Sequence, residues 1–472
     1  MPFLKEQMSR RSVLKLGFGV VASATGLSAL AGCGSSTPGS AVGSSGPVTL
    51  NLMTWGGDAD AKTAFSTIKN LYPDALKNIS LKVTVPGAND SDVAKALRLA
   101  LSARSNIPDL IQLNRTQLSE FATSGALMDL TDFINPVKND LFNGALQLAT
   151  YQGKIMAIPF QIKSKIFFYR HDLFEQAGIS LSDLSTTEGY IAAGKKFHAH
   201  FPDKYIINLG TQPQQYILGE FLSAYPDVHI YDQGRQSFQL TTNPAFTEVF
   251  TFLKQIKDAG IALPIDDFSN DWAQAFKNEK IGGVLIGNWM KEFLPQYATV
   301  AQTGKWAVSL WPKFSPSLSV NESLGSEAGG SIYVIPAGAK NPDAAKIYMQ
   351  HYLLDRRGSV GQWEAIGAVT PLLKSAQQDV MDVVNKDVKP NNVSTSDWAL
   401  QAQNFFGRSY QELEFSSFDT VRVFDYDPAA TNEIAILLQA LENVLSGSAS
   451  VASALQQAQN DMQSQIGNPY NS

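Results

Sequence analysis

The sequence predicts an α/β protein with two domains, and three observations support this. Residues 48–113 alternate strand, helix, strand, helix and strand with short turns, a pattern typical of parallel strands covered by helices. The chain has 472 residues, of which 44% are hydrophobic, so it is longer than one hydrophobic core accommodates. The sequence also contains no repeat with a period of about 20–50 residues, which would have indicated a solenoid.

The first 32 residues are predicted to be an export signal. Arg10 and Arg11 precede an apolar stretch, which is typical of a twin-arginine signal. Residues 30–33 read LAGC and resemble a lipobox, whose cysteine receives lipid after cleavage; Cys33 is the only cysteine. A transmembrane anchor over residues 16–31 is the alternative, but about 16 weakly apolar residues are short for a bilayer. We therefore expect a lipoprotein anchored through Cys33 on the periplasmic or cell-surface side.

Charge and cysteine content exclude several classes of partner and chemistry. The predicted signal carries four basic residues and one acid, so the mature chain has 33 basic and 42 acidic residues and a net charge of −9. This sign argues against nucleic acid and against an anionic membrane surface as partners. With Cys33 lipidated, no thiol remains for a disulfide, a nucleophile or a metal. Residues 33–47 follow as the lipidated cysteine and a flexible Gly/Ser-rich tether.

The first ordered elements predict where a ligand binds. Strands are expected at residues 48–54, 81–85 and 109–113, because these segments are rich in aliphatic and β-branched residues and end at turn residues. In sheets of parallel strands, ligands bind beyond the carboxyl ends of the strands. The loops 55–60 and 114–117 are therefore the candidate binding loops.

The rest of the chain is more helical and supplies a few further strands. Asp427-Pro428 is a typical helix start, with Asp as the cap and Pro at the first helical position. The other elements predicted here are strands at 282–287 and 331–336 and helices over 342–354 and 450–466.

Aromatic residues next to turns are the main chemical signal. Trp55 follows the first strand, Phe160 follows Pro159, and Trp289 follows the Gly287-Asn288 turn. Flat apolar rings stack on the C–H faces of sugars, while polar side chains bind the hydroxyls at the sugar's edge. Packing in a hydrophobic core is the alternative for each ring.

No metal, cofactor or catalytic site is predicted. Asp58 and Asp60 begin like a calcium loop, but Ala61 and Lys62 interrupt the required alternation of ligands. His198 and His200 stand two apart on a predicted helix and therefore do not face each other. The histidines form no recognisable triad, and the glycine-rich stretches lack the lysine and hydroxyl of a phosphate loop. We expect no cofactor and no enzymatic activity.

Lys163 and Lys165 have two interpretations. They follow the Pro159 turn, where a chain that crosses between domains faces a cleft. Solvated lysines are one interpretation. Attraction of an acidic or phosphorylated ligand is the other.

Several segments in a shared order resemble the extracellular solute-binding proteins of ABC importers, in the family-1 group that includes maltose-binding protein. The resemblance covers essentially the whole mature chain. The segments that carry it are 107–111 (IPDLI), 121–130 (FATSGALMDL), 151–159 (YQGKIMAIP), 168–178 (FYRHDLFEQAG), 287–289 (GNW), 341–345 (NPDAA) and 445–447 (LSG).

This resemblance implies a two-lobed fold of the periplasmic-binding-protein type II kind, with a ligand cleft between the lobes. Residues 48–160 plus 333–398 would form the N-terminal lobe, and residues 165–330 plus 402–472 the C-terminal lobe. Crossings are expected near 160–166, 328–334 and 395–405. Hinge closure on a sugar or oligosaccharide would present the closed form to the permease subunits of the importer, and a monomer is expected. The ligand contacts implied by position are Trp55, Asp58, Asn114, Arg115, Phe160 and Trp289. Lys163 is a seventh candidate because of its charge.

Departures from the family pattern leave the ligand open. Arg170 replaces the usual Asn, residues 188–190 lack the common Thr-Trp pair, and Lys163 stands where a maltose binder carries an acid. A phosphorylated or acidic solute such as a glycerol phosphate is therefore an alternative ligand. An exported polysaccharide-degrading enzyme is the alternative from another class, since two cleft carboxylates about 5–10 Å apart would support hydrolysis.

Overall fold

The computed structural model describes residues 46–210, 218, 221–223, 225, 228–310, 330–367, 369–386, 397–407 and 409–471. The predicted export signal, Cys33 and the tether up to residue 45 lie outside the described residues. Within the described ranges, no helix is both long enough and apolar enough to cross a membrane.

A five-stranded sheet organises the first lobe. Val48–Met53 pairs in parallel with Ile79–Thr84 and with Leu110–Asn114, which confirms the parallel arrangement predicted for these strands. The sheet as a whole is mixed, because Ser331–Val334 runs antiparallel to Leu110–Asn114 and also pairs with Ile158–Pro159. The order of strands therefore places residue 331 beside the carboxyl end of Leu110–Asn114.

A three-stranded antiparallel sheet organises the second lobe. Lys165–Arg170 is its central strand and pairs with Gly283–Gly287 on one side and with Trp306–Leu310 on the other. Residues 160–164 thus connect the two sheets, at the position predicted for the first crossing. Short strands form two-stranded pairs elsewhere: Thr150–Tyr151 with Lys154–Ile155, Ile207–Asn208 with Ala262–Leu263, and Tyr231–Asp232 with Ser237–Phe238.

Each sheet buries both of its faces. In Ser331–Val334, Ile332 and Val334 pack into one core and Tyr333 into another, because successive side chains point to opposite faces. In the second lobe, Phe167 joins one core, whereas Phe168 joins the other. The predicted strands 48–54, 81–85, 109–113, 282–287 and 331–336 are each confirmed to within two residues at their ends.

Helices cover these faces, and short 3₁₀ helices cap several loops. Within the described ranges, the α-helices include Ala59–Leu71, Asp90–Ala103, Leu118–Thr123, Thr131–Ile134, Asn143–Ala149, His171–Gln176, Thr187–His200, Pro244–Asp258, Asn270–Lys277, Met290–Tyr297, Pro342–Leu353, Arg356–Ile366, Lys374–Lys386, Asp397–Phe406, Ser409–Phe418, Ala430–Ser446 and Val451–Gln465. The 3₁₀ helices are Arg115–Gln117, Asn135–Asp140, Leu181–Leu184 and Val300–Gln302.

Aromatic side chains between residues 405 and 424 pack alternately in cores of the second and the first lobe, so the chain passes between the lobes more often than the sequence predicted. Phe405 and Phe406 pack in a second-lobe core, Phe415 and Phe418 return to the first-lobe core, and Phe424 is again in the second lobe. The sequence analysis placed all of residues 402–472 in one lobe. The remaining lobe boundaries stay a prediction.

The helix predicted to start at Asp427-Pro428 begins two residues later, at Ala430. The Asp427 carboxylate does not cap it, since it accepts hydrogen bonds from the Tyr231 N–H (3.1 Å) and from the Tyr470 hydroxyl (2.5 Å). Its buried neighbour is Glu433, on the first turn of the helix. Burial raises the pKa of Asp427 to about 6 and, together with Asp427, raises the pKa of Glu433 well above its usual value.

The raised carboxyl pKa values predict that the protein loses stability as the pH rises. The folded protein keeps a proton that the unfolded chain releases above about pH 4, so the unfolding free energy falls from there until the folded pKa is passed. Glu433→Gln supplies a neutral side chain of the same shape and is expected to flatten this fall and raise Tm at pH 7–8. Glu442→Gln, on the same helix, is the control. Equal pH profiles for wild type and Glu433→Gln, measured by thermal melts from pH 4 to 8, would contradict the assignment.

Candidate functional site

The carboxyl ends of the first-lobe strands meet as predicted, and Trp55 lies there. Thr54 donates a hydrogen bond from its hydroxyl to the Gln112 side chain (2.5 Å), which links two of these strand ends. Trp55 follows and is half-buried against the first-lobe core. Its next residue, Gly56, adopts a positive φ of 77°, which a side chain would strain, and donates its N–H to the Gly87 carbonyl (3.3 Å). The glycine turn therefore holds the Trp55 loop against its neighbour.

Asp58 and Asn114 already have local partners. Asp58 precedes Ala59–Leu71 and forms an ion pair (2.5 Å) with the largely exposed Lys62, while its own side chain is half-buried. The Asn114 side-chain oxygen accepts from the backbone N–H (3.2 Å) and hydroxyl (3.1 Å) of Thr116, which caps the 3₁₀ helix Arg115–Gln117. Both residues therefore shape the loops in addition to any ligand contact.

Arg115 is a buried cation with unused donors. Its side chain is 2% exposed; Nη2 donates to the Thr150 carbonyl (3.4 Å) and lies 3.8 Å from the Asp425 carboxylate, which is mostly exposed. Nε and Nη1 have no hydrogen-bond partner among the described residues. Buried donors without acceptors cost free energy. Arg115 is therefore a buried cation that Thr150 and Asp425 satisfy only in part.

Phe160 and Lys163 lie beside the start of Ser331–Val334. The Phe160 N–H donates to the Ser331 carbonyl (2.8 Å), and its half-buried ring packs edge-on against Tyr333 at 5.6 Å. The Lys163 ammonium donates to the Ser331 hydroxyl (3.3 Å). Ser331 is opposite Asn114 in the sheet register. The structure thus gathers three predicted site residues, Asn114, Phe160 and Lys163, around Ser331.

Lys165 is placed differently from Lys163. It is fully buried at the start of Lys165–Arg170, with its ammonium 4.1 Å from the ring centroid of Phe221. A cation over an aromatic face is stabilised by the ring quadrupole. Of the two lysines, only Lys163 is open to solvent in part.

Trp289 contributes to the second lobe mainly through packing. It is 9% exposed and belongs to a core cluster. Phe268 stacks on its indole at 5.4 Å and 25°, and Phe293 meets it edge-on at 5.8 Å. Phe268 is the more exposed ring, at 48%. The sequence analysis missed Phe268, which lies in a polar stretch after Asp266 and Asp267 without hydrophobic periodicity.

Charged groups from both lobes surround Glu292, which the sequence analysis also missed. Burial raises the pKa of Glu292 to about 7; Lys291 and Lys163 oppose that rise, whereas Asp60 and Glu414 add to it. One carboxylate oxygen, Oε1, is buried without a hydrogen-bond partner among the described residues. Asp60 lies on the first turn of Ala59–Leu71, where its side chain reaches solvent. Protein around it removes part of the water from the carboxylate, and this partial burial raises its pKa. The available signal was an acid three residues after Trp289, in the first turn of Met290–Tyr297.

A buried polar network centred on Glu414 joins the two lobes. The Glu414 carboxylate accepts from Asn288 (2.8 Å), Lys291 (2.8 Å), Thr370 (2.8 Å) and Gln411 (2.7 Å). Asn288 also donates to the Ile162 carbonyl (3.0 Å) in the segment that connects the two sheets. The network therefore fixes the Gly287-Asn288-Trp289 turn relative to that segment.

Sequence relatives are sugar-binding proteins. The chain is 24% identical over 291 residues to the lactose-binding protein of Rhizobium radiobacter, covering 57% of this chain and 65% of that protein, slightly less than two thirds of its length. It is 22% identical over 330 residues to the diacetylchitobiose binding protein DasA of Streptomyces coelicolor, covering 69% of this chain and 75% of the relative.

Solved structures share the two-lobed fold. The galacto-N-biose/lacto-N-biose I-binding protein of Bifidobacterium longum aligns with a TM-score of 0.70 at 20% identity, over 90% of this chain and 99% of that one. The sugar-binding protein MalE of Xanthomonas citri aligns with a TM-score of 0.69 at 19% identity, over 88% and 96%. A family model described as bacterial extracellular solute-binding protein matches residues 74–392, which is more than half of the chain. The chain therefore belongs to the bacterial extracellular solute-binding proteins.

Proposed function

We propose that this protein is the solute-binding lipoprotein of an ABC importer, which captures a sugar or oligosaccharide between its lobes and delivers it to the membrane permease. The observation that carries the proposal is the gathering of Asn114, Phe160 and Lys163 at the strand ends, next to the connecting segment to which the second-lobe turn before Trp289 is hydrogen-bonded. Relatives that bind lactose and diacetylchitobiose support a carbohydrate ligand. The site would bind and release its ligand without chemical change.

Hinge closure follows from the way the lobes are connected. The first-lobe edge supplies Trp55 and the connecting segment supplies Lys163, whereas Glu292 belongs to a second-lobe helix. A ligand held by groups of both lobes binds the closed form better than the open form and therefore shifts the population toward it. The permease would then recognise the closed form.

The balance of groups favours a neutral sugar over a phosphorylated solute. Lys163 and the ion-paired Lys291 are the cations that lower the pKa of Glu292, whereas Asp60 and Glu292 are both acids. Two carboxylates accept hydrogen bonds from sugar hydroxyls, whereas they repel a phosphate.

A thermal-shift screen tests this function. Lactose, diacetylchitobiose and lacto-N-biose are compared with glycerol phosphate, because a ligand that binds only the folded protein raises Tm. We expect a shift with at least one neutral oligosaccharide and none with glycerol phosphate. Lys163→Glu is expected to change the neutral ligand's shift less than it would change a shift with glycerol phosphate, because a neutral ligand gains no charge attraction from the lysine. A shift with glycerol phosphate alone, lost in Lys163→Glu, would favour the anionic ligand.

We also propose that twin-arginine export and lipid attachment at Cys33 place the protein outside the cytoplasmic membrane. Cys33→Ala is expected to abolish fatty-acid labelling, and Ser35→Ala in the tether is the control that keeps it. Arg10→Lys together with Arg11→Lys is expected to block export, because the signal depends on the arginine pair. Persistent labelling of Cys33→Ala would refute the anchor, and undiminished export of the double variant would indicate the general secretory route.

A further inference from the structure

We propose that Phe268 and Glu292 form a sugar subsite of the second lobe. In this subsite one face of the sugar stacks on the Phe268 ring, and the Glu292 carboxylate accepts a hydrogen bond from one of the sugar's hydroxyls. This inference rests on the proposed function and identifies second-lobe residues that would select the ligand. Neither residue was a candidate from the sequence.

The conformation of Phe268 is unusual for a bulky residue. Its φ is +61°, in the left-handed region that side chains other than those of Gly, Asn and Asp rarely adopt. Its ring is nevertheless held in place: it stacks on Trp289, contacts Trp272 at 5.2 Å and meets Phe293 edge-on at 6.3 Å. Strained backbone that the surroundings enforce clusters at ligand-binding sites. Here the strain supports a large ring that stays 48% exposed.

Glu292 is linked to this ring through Trp289, because residues three apart on a helix are neighbours on one face and Phe268 stacks on Trp289. Its N–H donates to the Trp289 carbonyl (3.1 Å), and the following residue, Phe293, contacts Phe268. Its Oε1 is buried without a hydrogen-bond partner among the described residues. A buried acceptor without a donor is costly, and a sugar hydroxyl would satisfy it. Ring and acceptor together match the apolar face and polar edge of a sugar.

The charges around Glu292 make this contact dependent on pH. Burial, Asp60 and Glu414 raise the pKa of Glu292, Lys163 and Lys291 lower it, and the result is about 7. An ionised carboxylate is the stronger acceptor for a hydroxyl. Affinity for a neutral sugar is therefore expected to rise between about pH 6 and pH 8, over the range where Glu292 loses its proton.

Phe268→Gly separates binding from folding. Glycine adopts φ near +61° without strain, which offsets part of the packing lost with the ring, so the variant is expected to stay folded, whereas loss of the stacking ring should weaken lactose or lacto-N-biose binding about tenfold. Leu99→Ala removes another exposed apolar side chain, on Asp90–Ala103, and is the matched control with wild-type affinity. Glu292→Gln should bind with an affinity that no longer changes between pH 6 and 8.

Calorimetric titration of the whole protein distinguishes the outcomes. Wild-type affinity in Phe268→Gly, or an unchanged pH dependence in Glu292→Gln, would overturn the subsite while leaving the proposed function intact. If wild type binds none of the tested saccharides, the proposed function fails and the subsite with it. Weaker binding by folded Phe268→Gly together with a flat pH profile for Glu292→Gln supports the subsite.

Discussion

Glu414→Ala is expected to lower the free energy of unfolding by about 3–5 kcal/mol, because it leaves a buried charge without its partner. Glu414 is fully buried, and its carboxylate lies 2.8 Å from the ammonium of Lys291, which is 5% exposed. Asn288, Thr370 and Gln411 lose their acceptor in the same variant. Urea denaturation followed by tryptophan fluorescence measures the change.

Glu412→Ala is the matched control for this prediction. It lies on the same helix, Ser409–Phe418, but is exposed, so its unfolding free energy should stay within about 0.5 kcal/mol of wild type. A double change of Glu414 and Lys291 to apolar residues should cost less than Glu414→Ala alone, since no unpaired charge remains. If Glu414→Ala melts like wild type, the network does not hold the lobes as described.

Trp289→Ala is expected to destabilise the ligand-free protein by about 3–5 kcal/mol, as truncation of a buried large aromatic residue typically does. Trp289 is 9% exposed and supports Phe268 and Phe293. Sugar affinity should fall as well, because Phe268 loses the ring on which it stacks. The two effects are measured separately, by denaturation of the ligand-free variant and by titration at a temperature where it remains folded.

Trp289→Phe keeps an aromatic ring in the cluster and should lose less of both quantities. If Trp289→Ala lost affinity while the stability of the ligand-free protein stayed at the wild-type value, Trp289 would be a solvent-facing ligand contact and not the support of one.

The sheet elements could be predicted because their signals are local. Aliphatic runs that end before Gly or Pro predicted the strands around residues 48–54 and 81–85, and short helical connections predicted that these strands are parallel. The loops at their carboxyl ends followed from that arrangement. Asn114 is accordingly found at the carboxyl end of its strand, beside Ser331.

The second-lobe side of the site depends on packing between distant segments and could not be predicted in the same way. The turn Gly287-Asn288 indicated that Trp289 follows a chain reversal, but its burial is set by Phe268, which is 21 positions away in the sequence. The pKa of Glu292 depends on burial and on charges from three other segments, those of Lys163, Asp60 and Glu414, as well as on its neighbour Lys291. Asp427 has the residue type of a helix cap, yet its carboxylate is engaged by Tyr231 and Tyr470, so the helix starts later.

Titration of the mature protein with a neutral oligosaccharide, followed by analysis of the sugar recovered, tests the central claim most directly. The account predicts that at least one such sugar binds with one site per chain and is recovered unchanged. Binding of glycerol phosphate with no binding of any neutral saccharide, or hydrolysis of the sugar, would contradict it.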